Sequence, residues 1–201
     1  MKKKMVKTLL LCGLVGAVGV GGTYAYFTGN DSAVNSVTVG NLTTSINEDY
    51  PSGQKITADS NAVPSIKKVV AVSNDGEESV DCYVRVELSY SNSDISKGLT
   101  LQGLNTTDWV KSGNWYYYKK VLKSGQKTSN LMTGYSINVN KIDTTYKDYI
   151  DTFSVNVYEE SVPVSITETI TPGHGNVKAV TQVKNFSTPQ EAFTYFETAR
   201  K

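Results

Sequence analysis

From Ser79 to Tyr90 the chain alternates without a break. Val80, Cys82, Val84, Val86 and Leu88 fall on one parity, and Asp81, Tyr83, Arg85, Glu87 and Ser89 on the other. A period of two sends successive side chains to opposite sides of a strand. The segment is therefore predicted as a strand with one face buried and the other largely wet. A half-apolar strand needs a covering layer, and the rest of the chain offers mostly more strands. Its body is rich in Thr, Ser, Val, Tyr and Asn, which favour sheets and turns.

Other strands follow in both directions. Ser36 to Asn47 alternates, but Val37 and Val39 share one parity while Leu42 and Ile46 share the other. The switch at Gly40 predicts a β-bulge inside one strand. Tyr50 to Gly53 reads as a turn, Gln54 to Pro64 as a polar linker, and Ser65 to Ser73 as an apolar strand closed by Asn74-Asp75-Gly76. Ser91 to Gly98 reads as a loop. Short strands are expected at Leu99 to Leu101 and Thr107 to Lys111, and Ser112-Gly113-Asn114 turns a hairpin between Trp109-Val110 and Trp115 to Tyr118. Thr128 to Val139 continues as strand, with Gly134 marking a bulge, and polar Lys141 to Asp151 reads as a helical turn or loop.

Thr152 to Thr171 is a long β segment whose apolar phase changes across Glu159-Glu160-Ser161. That change predicts a bend or bulge with two strand halves serving different sheets. After a Pro172 to Gly175 turn, Asn176 to Lys184 reads as a last strand. Thr188-Pro189-Gln190-Glu191 has the pattern of a capping box with proline at the first helical position, so residues 188–200 are predicted as a C-terminal helix. The expected fold is all-β: an antiparallel β-sandwich, jelly-roll-like, with a short C-terminal helix.

The beginning of the chain has another character. Met1 to Lys7 holds four lysines, and Thr8 to Gly22 is uncharged and apolar, the plan of a secretory signal. The run is short for a membrane span of about 20 residues, and a retained N-terminal anchor is the alternative. A small-residue site at Ala33 is the expected cleavage point, with Ala25 as second choice because Thr23 stands at its −3 position. Removing the first 33 of 201 residues leaves 168, which suits one domain over 34–201. The whole chain has 20 basic and 19 acidic residues. Loss of Lys2, Lys3, Lys4, Lys7 and Asp31 leaves 16 and 18, a net charge of −2. No nucleic-acid partner follows from such a balance. Of the two cysteines, Cys12 lies in the leader, where Leu11 before it argues against a lipoprotein site. Cys82 alone remains, so the domain has no internal disulfide.

Chemistry-bearing patterns are sparse. A zincin needs two histidines on one helical face, and this chain has one histidine, His174, in a Pro-Gly-His-Gly turn. Glu77, Glu78 and Asp81, like Asp143, Asp148 and Asp151, lack EF-hand spacing and read as solvated charge. No G-x-S-x-G elbow or phosphate-binding glycine loop occurs. Cys82 belongs among the aliphatics of its strand. Glu159 and Glu160 fall on opposite faces of a regular strand, a poor arrangement for an acid/base pair. The expectation is no catalytic residue, no cofactor and no metal. The aromatic block Trp109, Trp115, Tyr116, Tyr117 and Tyr118 reads either as packing or as an exposed contact surface for a glycan or protein partner.

Two resemblances cover most of the chain. Gly21 to Thr28, the polar run to Ala33, and Val37-Thr38-Val39-Gly40-Asn41-Leu42 resemble the leader and first mature strand of the TasA/camelysin-like family, exported proteins of Gram-positive bacteria. Val72 to Gly76, Cys82 to Val86, Trp109-Val110, Trp115 to Leu122, Gly125 to Thr128 and Gln182 to Phe186 resemble a clostridial-type branch known as alternate-signal-mediated exported proteins. The spacing from Ala33 to Gly40 is a little longer than the family pattern. The resemblance implies cleavage by a SipW-type signal peptidase and a secreted protein of the cell surface or a biofilm matrix, touching membrane only through an uncleaved signal. It also implies self-association, or association with related matrix proteins, into fibres. In such fibres the first mature strand, here 34–47 with Val37, Val39, Leu42 and Ile46, would be donated to a neighbour. The alternative is a monomeric extracellular binding module that uses the aromatic hairpin.

Overall fold

The computed structural model describes residues 23–28, 33–50, 65–76, 78–171 and 178–199. The leader up to Gly22, the expected linker 54–64, Cys12, Glu77 and His174 lie outside them. The fold is all-β and antiparallel with a short C-terminal helix. In chain order the strands are β1 (Thr23–Thr28), β2 (Ala33–Thr38), β3 (Ser45–Asp49), β4 (Ser65–Asn74), β5 (Cys82–Tyr90), β6 (Leu99–Gln102), β7 (Trp109–Ser112), β8 (Trp115–Tyr118), β9 (Gln126–Lys127), β10 (Met132–Ile137), β11 (Val155–Pro163), β12 (Ser165–Thr171) and β13 (Val180–Asn185). Helix α1 (Ser93–Ser96) interrupts the loop expected there, and α2 (Pro189–Ala199) follows β13. The polar stretch after β10 forms two 3-10 turns, Val139–Lys141 and Thr144–Thr152.

Two sheets make the sandwich. One has the order β3-β4-β10-β6, with β9 also pairing β4; the other is β11-β5-β8-β7. Their facing sides enclose a core that includes Val70, Val72, Val84, Val86, Met132 and Ile137. Trp109, Tyr116 and Tyr118 belong to the same core. The turn between β7 and β8 places Gly113 at φ 60°, a left-handed conformation that suits glycine. The bulge expected at Gly134 is present, because the β10–β4 register shifts between Met132 and Gly134. A third sheet, β1-β2-β12-β13, continues from β11 through a break at Val164.

Three expectations are corrected. The second face of β5 is not wet: Tyr83 and Arg85 are buried, because α2 lies across that face. Tyr83, Tyr117, Val162, Ile166, Phe186, Ala192 and Phe193 form a second apolar cluster there. No bulge interrupts β11. Its register with β5 runs unbroken from Val155↔Tyr90 to Pro163↔Cys82. The change of apolar phase has another cause. Val155 faces the sandwich core, while Val162 faces the cluster under α2. The division between two sheets falls at Val164 instead. Finally, residues 36–47 are not one bulged strand. β2 and β3 belong to different sheets, and residues 39–44 connect them.

The predicted helix start is observed. The Thr188 hydroxyl accepts from the Glu191 backbone N–H at 3.2 Å, and the Glu191 carboxylate accepts from the Ser187 N–H at 2.8 Å. Side chain and backbone thereby satisfy donors that a helix start leaves open.

Candidate functional site

The N-terminal segment predicted as a donor crosses the whole molecule. β2 pairs with β12 from Thr38↔Thr167 to Val34↔Thr171 and with β1 on its other side. The chain then leaves the third sheet as a strap. Val39 packs against the cluster under α2, and Leu42 against the sandwich core. Gly40 passes so close to Val80 that a β-carbon would collide with its side chain. Close approach, rather than a bulge, is what the glycine serves here. The strap is held by main chain as well, since the Val80 N–H donates to the Asn41 carbonyl at 2.8 Å and the Thr43 N–H to the Ser79 hydroxyl at 3.2 Å.

The strap ends against β11 and β4. The Thr44 hydroxyl donates to Glu159 at 2.6 Å and lies 2.8 Å from the Ser161 hydroxyl. Burial pushes the Glu159 carboxyl up from its ordinary pKa of 4.5, while the bonds from Thr44 and Ser161 act in the opposite direction. β3 then pairs with β4 from Ser45↔Ser73 to Asp49↔Val69. The Asn47 side chain donates to the Ser73 hydroxyl at 2.6 Å, and Glu48 and Asp49 pair with Lys68 and Lys67 at 3.0 and 2.5 Å. Of the four predicted donor residues, Val37 lies in β2, Val39 and Leu42 are anchors of the strap, and Ile46 sits on β3 at the sandwich edge, partly exposed. Ala33, the expected cleavage residue, begins β2 opposite Thr28; Ala25 lies in the middle of β1, opposite Ser36.

The aromatic hairpin is corrected as a contact surface. Trp109, Tyr116, Tyr117 and Tyr118 are buried, and Trp115 is half-buried. The sandwich takes Trp109, Tyr116 and Tyr118 on one side, and α2 takes Tyr117 on the other. Both faces of β8 are covered, so alternation leaves no exposed row. The binding-module reading thus loses the face it needed.

Sequence reasoning missed Arg85. Its guanidinium lies between Trp115 and Phe193, 4.0 and 4.3 Å from their ring centroids. It donates to Glu160 through Nε at 2.8 Å and pairs with Glu197 of α2 at 2.7 Å, while Nη1 also reaches the Tyr117 hydroxyl at 3.2 Å. Burial opposes its charge, and these acceptors more than offset that, so its pKa is raised. The arrangement pins the helix to the sheet. Its signal was present in the helix itself, whose Phe193 and Phe196 had to cover some strand face.

Glu159 and Glu160 point to opposite sides, one toward Thr44 and the other toward Arg85. Cys82 is fully buried, and burial, with Glu159 and Asp81 adding to it, pushes its thiol up to about 12. A thiol so held is not a nucleophile near neutral pH. Among the described residues no cluster of His, Cys, Asp and Glu has metal-binding geometry. No described helix is long and apolar enough to cross a membrane. Comparison with protein-family models, with curated proteins and with solved structures finds no match to this chain.

Proposed function

We propose that this chain is an exported, non-enzymatic structural protein of the cell surface or a biofilm-type extracellular matrix. A SipW-type signal peptidase releases it, and it self-associates into fibres by donating its N-terminal strand segment. One observation carries the reading. Residues 33–49 form a continuous strip that joins three parts of the fold: β2 in the third sheet, Val39 and Leu42 in two apolar clusters, and β3 on the sandwich edge. Main-chain pairing would supply the affinity of such a strip for an identical neighbour, and the two side-chain anchors its register.

Electron microscopy of residues 34–201 over a concentration series, beside the same chain lacking 34–47, tests this. Fibres are expected from the first and none from the second. Replacing Val39 and Leu42 with Asp should also abolish them. Single particles of unchanged mass at every concentration would sink the proposal.

A further inference from the structure

The edges of the three sheets are not treated alike. In the sandwich, β3 carries Glu48 and Asp49, β11 carries Glu159, Glu160 and Pro163, β7 is four residues long with Lys111, and β6 has only four residues. Charge, proline and shortness are the usual devices that stop a sheet edge from pairing with another chain. The third sheet has fewer of them. β2 has neither charge nor proline across Ala33–Thr38, and β13 has a single lysine, Lys184, across Val180–Asn185. β13 forms one free edge of that sheet, with Val180 56% and Val183 64% exposed. Three residues apart, these valines lie on opposite faces, so each face of the edge strand presents one bare side chain.

The opposite edge of β2 is covered by β1, antiparallel over six positions from Thr23↔Thr38 to Thr28↔Ala33. Among the described residues β1 pairs with no other strand. We propose that β1 is a placeholder. Once the chain is cut between β1 and β2, the vacated edge of β2 takes β13 of a second copy, and the third sheet continues from molecule to molecule. β2 and β13 are different surfaces, so the contact is head-to-tail and builds an open filament rather than a closed dimer. The proposal rests on the self-association reading and puts edge pairing in place of donation as the joining step, because β2 stays in its own sheet.

The test uses the full chain in mild detergent, with Cys12→Ser, Ala25→Cys and Ser36→Cys, and a specific protease sequence in place of residues 29–32. Ala25 and Ser36 are opposite in register, so oxidation ties β1 to β2, and buried Cys82 stays out of the exchange. Light scattering should show constant mass for the uncut chain and for the cut, oxidised chain. Cutting followed by reduction should give mass that rises with concentration well beyond a dimer. An excess of a peptide of residues 23–28 should stop that growth, as should Val180→Asp with Val183→Asp, whose folding near-ultraviolet circular dichroism checks. Growth of the uncut or the cut, oxidised chain overturns the placeholder. Growth that survives both Asp substitutions overturns the β13 contact while leaving self-association intact. No growth in any arm removes the self-association reading, and this proposal with it.

Discussion

β5 and β12 are both interior strands of antiparallel sheets, yet their surroundings differ. In β5 every residue from Cys82 to Val86 is buried, with the sandwich core on one side and α2 on the other. In β12 only Ile166 is buried between Ser165 and Ile170. Beyond Ile166, ties of the third sheet to the body include Val164, Phe186, whose carbonyl accepts from the Tyr83 hydroxyl at 3.0 Å, and Glu168, which accepts from Tyr195 of α2 at 2.5 Å. Hydrophobic burial is the main favourable term in folding. Stability is therefore concentrated in the sandwich, and the third sheet is the region with little to lose by exchanging partners.

Amide exchange is the most direct way to break that comparison. Protection in β5 should exceed that in β12 and β13 by on the order of a thousandfold; equal protection would show one cooperative unit. Trp109→Ala should cost about 3–5 kcal/mol in urea unfolding, because it empties the sandwich core and leaves the Ser129 carbonyl without its 3.1 Å donor. Arg85→Ala should cost less, about 2–3 kcal/mol, since Glu160 and Glu197 are partly exposed and water can take over from the lost partner. Its effect should centre on α2, seen as faster exchange across residues 189–199.

Glu159 sharpens the comparison where the strap meets the sandwich. The folded chain holds its proton more tightly than the unfolded chain does. The stability it contributes is therefore present below about pH 4.5 and is lost as pH rises through the raised folded value. Glu159→Gln should flatten the dependence of thermal stability on pH above 4.5, and an unchanged slope would assign that dependence to other groups. The smallest effect belongs to the third sheet. Val183→Ala should change stability by less than about 0.5 kcal/mol, as expected of an exposed side chain. Mass spectrometry of the exported protein sharpens the other end: a first residue of Val34 removes β1 whole, whereas Tyr26 would leave half of it in place.

Local rules alone determined a good deal. Strict alternation marked β5, turn residues marked the β7–β8 hairpin with its left-handed Gly113, and the Thr188–Glu191 pattern marked the start of α2. Each is written within a few residues, where backbone geometry and nearest-neighbour bonds decide the outcome. β1 was hidden for a different reason. Thr23–Thr28 has good strand formers, but it adjoins an apolar run and reads as part of the leader.

Tertiary structure decided which faces are covered. A period of two says that Arg85 and Val86 point apart, but not that a helix more than a hundred residues later will close over Arg85. The phase changes near Gly40 and Glu159 looked like bulges because a bulge is the local explanation for a shift of parity. Here the chain keeps its geometry, or leaves one sheet for another, and the apolar environment changes sides around it. That environment is built by segments distant in sequence. Alternation therefore determined the strands, while the placement of α2 and the third sheet decided what each strand face would meet.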